Sequence, residues 1–143
     1  MKSSKLKPIF SSAKEFSTMV DEFPILFVIA ALTPGKSIFK GLEDLKNKES
    51  DRINEMKKII QTLGIFFEYK KSTVKIKGTK KKDYIDKTLK VPNLKDHRIC
   101  MSASVLALIS GAQTNIKNFE TVFTSSPSFL KIVKQLGGEF EKK

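Results

Sequence analysis

A chain of 143 residues with 40% hydrophobic and 29% charged content can bury roughly two-thirds of its unfolded surface. It is too short for two full-sized domains. Its 27 basic and 15 acidic residues leave a formal charge of +12, a field that favours anionic partners: phosphorylated metabolites, nucleic acid or acidic lipid. The single Cys100 excludes an internal disulfide and fits a reducing, cytoplasmic compartment. The most apolar stretch, Phe23 to Leu32, is far shorter than the ~20 residues of a bilayer span and lacks a signal-peptide cleavage pattern.

Helical periodicity begins at Asp21 and Glu22 and runs through Phe23, Ile25, Leu26, Val28 and Ile29 to Leu32. Apolar residues on nearly every side predict a helix enclosed by protein. Pro24 suits its first turn, and Pro34-Gly35 ends it. A strand over Ser37 to Lys40 follows. Asn47 or Ser50 caps the next helix, whose stripe of Ile53, Met56, Ile59, Ile60 and Leu63 stops at Gly64. Ile65 to Tyr69 and Thr73 to Lys77 read as two strands around a turn. From Gly78 to Lys95 the chain is a lysine-rich excursion with one short extended segment. Asp96 opens a helix closed by Gly111, and a strand near Thr114 to Lys117 comes next. Ser125 or Ser126 then caps a last helix with Pro127 in its first turn and Phe129, Ile132, Val133 and Leu136 facing inward. Gly137-Gly138 stops it.

The halves repeat one another. Ala31-Leu32 with Gly35 recurs as Ala107-Leu108 with Gly111, and Ile59-Ile60 with Leu63-Gly64 recurs as Ile132-Val133 with Leu136-Gly137. Each copy reads helix, strand, helix, strand. The predicted fold class is α/β, in duplicated units spanning approximately 21–78 and 96–143 with a linker over 79–95. Its period is too long for the common short solenoids.

Among 27 basic residues only Arg52 and Arg98 are arginine, the side chain suited to bidentate grip on carboxylate or phosphate. Both lie in dense polar clusters, and the only histidine, His97, lies beside Arg98. Asp21, Lys48 to Arg52, Asp96 to Arg98 and Thr124 to Ser126 all fall at predicted helix starts, which present free N–H groups and a partial positive charge. If the helices run in parallel, these starts gather on one edge as an anion site. The plainer reading of each cluster is helix capping.

Val20-Asp21-Glu22-Phe23-Pro24, Lys48-Glu49-Ser50-Asp51-Arg52 and Asp96-His97-Arg98 resemble three C-terminal signatures of the EPSP synthases (3-phosphoshikimate 1-carboxyvinyltransferases). Ser3-Ser4-Lys5-Leu6-Lys7 and Ser126-Pro127-Ser128-Phe129 extend the resemblance over essentially the whole chain. It implies an enolpyruvyl-transferase domain of three βαβαββ units with helices inside and sheets outside, of which this chain supplies most of two. It also implies a partner, the missing N-terminal portion of the enzyme, with the active site in the cleft between domains.

The implied reaction transfers the carboxyvinyl group of phosphoenolpyruvate to shikimate 3-phosphate and releases phosphate, in aromatic amino acid biosynthesis. By resemblance, Asp21 contacts the shikimate hydroxyls and accepts a proton, and Glu49 shuttles a proton at the vinyl carbon. Read without the family, Asp21 is an N-cap and Glu49 a first-turn acid favoured by the helix dipole. Arg52 and Arg98 match phosphoenolpyruvate-binding arginines, and Lys48 matches a lysine that reaches the shikimate phosphate or the shared intermediate. His97 either orients neighbours or serves as a structural donor. Cys100 reads as a buried small hydrophobe. No cofactor is implied, and one His with one Cys makes a poor metal ligand set. Some members carry a lysine in the loop before the last helix, where this sequence has Thr124-Ser125-Ser126. That leaves the phosphoenolpyruvate contacts short of one cation. The isolated chain is expected to be inactive, and to associate through uncovered apolar surface.

The rivals are a UDP-N-acetylglucosamine enolpyruvyl transferase fragment and a basic nucleic-acid-binding module. The first would not be expected to pair the Lys48–Arg52 and Asp96–Arg98 signatures. The second lacks the aromatic–basic interleaving of an RNA-binding sheet, so neither nucleic acid nor membrane is an expected partner.

Overall fold

The computed structural model describes residues 5–80, 83–92 and 95–141. The expectations at Ser3 and Ser4 lie outside the described residues. The chain opens on a two-residue strand, β1 (Phe10–Ser11), a 3-10 turn (Ala13–Glu15) and the one-turn helix α1 (Phe16–Met19). The sequence reading anticipates none of these. A capping box starts the 3-10 turn that leads into α1, with Ser12 N–H donating to Glu15 Oε2 at 2.6 Å, and the Ser-x-x-Glu spacing was a legible signal of it.

Helix α2 (Phe23–Ala31) has Pro24 in its first turn, as expected. Strand β2 (Gly35–Lys40), a 3-10 turn (Glu43–Asn47), helix α3 (Arg52–Gln61) and strands β3 (Phe66–Lys70) and β4 (Thr73–Gly78) follow. Strand β5 (Thr88–Lys90) is the short extended segment of the excursion. Helix α4 (His97–Ser110), strand β6 (Gln113–Asn115) and helices α5 (Glu120–Ser125) and α6 (Phe129–Gln135) complete the chain. Among the described residues, no helix is long and apolar enough to cross a membrane.

Strand order in the larger sheet is β1-β2-β4-β3, with β1 parallel to β2 and the other pairs antiparallel. Strands β5 and β6 form a separate parallel pair. In each half, therefore, a long helix crosses between two parallel strands: α2 between β1 and β2, α4 between β5 and β6. Such a crossover needs a helix-length connection. Strands β3 and β4 form a hairpin whose turn residues Lys71 and Ser72 have φ of 47° and 55°, the left-handed conformations of a two-residue turn that matches strand twist.

Side chains alternate across the larger sheet. Phe39, Phe67, Val74 and Ile76 point inward and are buried, whereas Lys36, Lys40, Lys70 and Lys77 are exposed. Phe27 of α2 meets Phe39 and Phe67 edge-on, at ring-centroid distances of 5.2 and 5.4 Å. On its other sides α2 packs against α3 and α4. A helix between a sheet and two helices has little exposed perimeter, which explains its apolar residues all round. Close approach also fixes Gly78: a Cβ there would fall on the carbonyl oxygens of Ala30 and Thr33 at the end of α2. The helices lie inside and the sheet outside, the mixed α/β arrangement expected.

Five expectations are corrected. Helix α3 is capped by Asp51, whose carboxylate accepts from Asn54 N–H at 3.0 Å, and not by Asn47 or Ser50. Thr124 to Ser126 do not open a helix: Thr124 and Ser125 end α5, and α6 begins at Phe129 after Ser128. Pro127 thus lies in the connection and not in a first turn. In α6 only Val133 is buried, while Ile132 and Leu136 are 46% and 67% exposed. Finally, the strand that would close the second helix-strand-helix-strand copy does not form over the described residues 139–141, and β6 stops at Asn115 instead of running on to Lys117.

Candidate active site

The first turns of α3 and α4 meet beside Asp21, two residues ahead of α2. Arg52, the first residue of α3, is 1% exposed and carries three ion pairs. Its Nη1 donates to Asp21 Oδ1 at 2.8 Å, its Nη2 to Glu49 Oε2 at 2.5 Å and its Nε to Asp96 Oδ2 at 3.0 Å. Burial opposes its charge, but the bonds to Asp21 and Asp96 outweigh that and hold the guanidinium proton more tightly than usual. Arg98, in the first turn of α4, reaches Asp21 Oδ2 from its Nη2 at 3.5 Å and keeps a third of its side chain exposed.

Asp21 is therefore gripped from two sides while 46% of its side chain faces solvent. The Arg52 hydrogen bond, aided by the charges of Arg98 and Lys48, holds its carboxyl below the usual carboxylate range. It stays ionised at neutral pH, a state in which a carboxylate is able to accept a proton. The plainer alternative does not hold: Glu22, not Asp21, occupies the cap position of α2, and no side chain bonds there. Glu49 is 52% exposed, and its bond to Arg52 holds it over the same rim. Lys48 is also exposed at the rim.

Four side chains singled out by the sequence, Asp21, Glu49, Arg52 and Arg98, thus converge. Thr124 to Ser126, at the end of α5, do not share their place at a helix start. His97 is half-buried at the start of α4, and its ring makes no hydrogen bond with another described residue. An open cleft of about 220 Å³ adjoins the cluster, with Asp21 and Arg98 at its charged end and Ile25, Met101, Val105 and Phe129 along its apolar wall.

From the sequence Asp96 reads only as the opening of a helix, yet this residue also holds the cluster together. It is fully buried. Its Oδ1 caps α4, accepting from the N–H groups of Arg98 (3.0 Å) and Ile99 (3.4 Å). Its Oδ2 accepts from Arg52 and from the Ser50 hydroxyl at 2.8 Å. An Asp before an apolar helix signals a cap; nothing in the sequence shows that its second oxygen reaches a helix 44 residues away.

Cys100 lies beneath this cap, fully buried as expected. Burial, and then the Asp96 charge, push its thiol up to about 11. The folded state keeps that proton beyond the pH at which an unfolded thiol, near 9.0, releases it. Its contribution to stability is complete below pH 9.0 and is lost as pH rises through about 11. The stability of the unmodified chain should thus fall more steeply over that interval than that of Cys100→Ala, by on the order of 2–3 kcal/mol. Chemical denaturation at several pH values measures this, and parallel slopes would contradict it.

Residues 3–133 match the family model for EPSP synthase (3-phosphoshikimate 1-carboxyvinyltransferase). A 3-phosphoshikimate 1-carboxyvinyltransferase of Zymomonas mobilis is 38% identical over 143 residues, covering 99% of this chain and 32% of its own length. One from Persephonella marina is 37% identical over 131 residues, covering 92% and 29% respectively. The solved structure of an EPSP synthase from Acinetobacter baumannii superposes with a TM-score of 0.74 at 30% identity, over 92% of this chain and 30% of that one. The chain therefore spans about a third of the length of these relatives. A match through all three charged signatures, together with the shared fold of the helices that carry them, places this chain in the EPSP synthase family.

Proposed function

We propose that this chain forms one wall of a site that transfers the carboxyvinyl group of phosphoenolpyruvate to a hydroxyl of shikimate 3-phosphate. The observation that carries the reading is the meeting of Asp21, Glu49, Arg52 and Arg98 at one rim. The units 21–78 and 96–143, joined by 79–95, are two of the three in one domain of the enzyme. The rest of the site comes from the two thirds of the relatives' length that this chain does not span.

In the addition step a proton joins the vinyl CH2 carbon while the hydroxyl oxygen attacks the neighbouring carbon. In the elimination step the methyl group loses a proton, the double bond re-forms and phosphate leaves. Asp21, held ionised, takes the hydroxyl proton. Glu49 enters the cycle as the acid and delivers its proton to carbon. As the carboxylate so formed, it takes one back in the elimination, while the proton held by Asp21 leaves with the phosphate. Both are free to act because each carboxylate, although tied to Arg52, remains about half exposed.

Arg98 is the more available anion contact, since its one bond to Asp21 is long. Arg52 has its three nitrogens engaged, so an incoming carboxylate would take its place beside Nη2 as Glu49 turns toward the vinyl carbon. Lys48 reaches the shikimate phosphate, and His97 stays a lesser contributor. The relatives' names favour this acceptor over UDP-N-acetylglucosamine. Phosphorylated metabolites and an unpaired thiol suit a cytoplasmic setting.

The test is phosphate release from the two substrates, with this chain alone and with it joined to the remaining two thirds of the Zymomonas mobilis relative. We expect no turnover from the chain alone and restored turnover from the joined protein. Turnover by the isolated chain, or none from a folded joined protein, would refute the reading.

A further inference from the structure

We infer that Asp96 is the positioning residue of this site, a single carboxylate that sets the directions of both arginines before any anion arrives. Its two oxygens have separate tasks. Oδ1 fixes the first turn of α4 through the N–H groups of Arg98 and Ile99, which sets where the Arg98 side chain starts. Oδ2 holds Arg52 by Nε, the one nitrogen that defines the plane and direction of the fork. With Nε anchored, Nη1 and Nη2 can only point to the rim, where they meet Asp21 and Glu49.

The Ser50 hydroxyl completes the arrangement by donating to the same Oδ2, so that oxygen is held from two directions. Asp96 is fully buried and Asp21 and Glu49 are half exposed. The anchoring bond is thus shielded from water while the working bonds are not. A buried, charge-assisted bond is the rigid element of such a network. Asp96 itself touches no part of the cleft. It acts through Arg52 and Arg98, and it ties the first repeat unit to the second.

The inference rests on the proposed function only in taking the arginines to face an anionic substrate, and its test separates the two. With only two arginines in the chain, the nitrogen NMR spectrum of Arg Nε–H groups holds two side-chain resonances. We expect the Arg52 Nε–H to exchange with solvent at least about tenfold more slowly than that of Arg98, as a buried bonded proton does. In Asp96→Asn the amide oxygen can still cap α4, but an NH2 group faces Arg52. The Arg52 protection should vanish while the Ile99 amide stays protected. Titrated phosphoenolpyruvate should shift the Arg98 resonance of the unmodified chain and bind several-fold more weakly to Asp96→Asn, although Asp96 does not reach the ligand.

Rapid Arg52 exchange in the unmodified chain, or undiminished protection in the variant, would overturn the inference. A role in capping alone would be exposed by loss of Ile99 protection with Arg52 unchanged. If phosphoenolpyruvate shifts nothing but the Arg52 protection depends on Asp96, the positioning role stands and the substrate assignment fails. Should Asp96→Asn not fold, Asp96→Ser makes the same comparison, because a serine hydroxyl can cap a helix but is too short to reach Arg52.

Discussion

Replacing Arg52 with methionine is expected to destabilise the chain by about 3–5 kcal/mol, the cost of leaving a buried ionic partner uncompensated. Asp96 is fully buried and its charge is balanced by Arg52 at 3.0 Å. Without the guanidinium, Asp96 keeps its helix-capping bonds and the Ser50 hydroxyl but no cation. Asp21 and Glu49 would then repel each other and Asp96 across the vacated space. Methionine fills much of the volume, so the loss reports charge rather than a cavity. Arg52→Lys should recover little of it, because an ammonium is a point donor and cannot span three acids in three directions. Arg98→Met, by contrast, should cost less than about 1 kcal/mol, as befits a partly exposed pair at long distance. Urea denaturation of the three variants gives the ranking. An Arg52→Met midpoint close to that of Arg98→Met would remove the cluster from the stability of the fold.

In the joined protein, Asp21→Asn and Glu49→Gln are each expected to lower turnover by roughly 10²–10⁴-fold, the range for losing a positioned proton-transfer group. The two should differ in how they fail. Asp21 is bonded to both Arg52 and Arg98, so its amide variant also loosens both arginines and should raise the KM for phosphoenolpyruvate. Glu49, from an exposed position, is ion-paired among the described residues with Arg52 alone. Glu49→Gln should lower kcat with little change in KM, and should suppress uptake of solvent deuterium at the vinyl carbon. Steady-state phosphate release and mass spectrometry of recovered phosphoenolpyruvate make these measurements. A Glu49→Gln enzyme that retains most of its turnover would leave Asp21 as the sole acid–base residue on this wall.

The long elements were legible because their signals are local. Phe23 to Ala31 is apolar on all sides, carries a proline where a helix tolerates one, and is the helix packed between the sheet and two other helices. Asp96 and Gly111 bracket α4, with Gly111 at φ 75° as its left-handed C-cap. Short elements escaped. Strand β1 has two residues and exists because β2 pairs with it through Ile38 and Phe39, which no local pattern announces. The last helix failed differently. Its apolar stripe was read as core, but of that stripe only Val133 is buried and Phe129 half-buried within this chain. Phe123, Ile132, Leu136 and Phe140 remain exposed, a surface of the kind that promotes association.

The amino-acid sequence by itself singled out the side chains that meet at the rim: two arginines among 27 basic residues, each within a cluster that resembles a family signature. Periodicity, caps and breakers placed those clusters near helix starts, since these are properties of neighbouring residues along the chain. Tertiary structure alone decided how the charges divide the work. Ser50 was read as a cap and instead serves Asp96, and Asp51 caps in its stead. Arg52 was read as an anion contact by resemblance, and within this chain it is also the buried hub of three carboxylates drawn from three separate segments. The reason is that a charge in a low-dielectric interior must find its partners wherever packing brings them, and sequence distance says nothing about that.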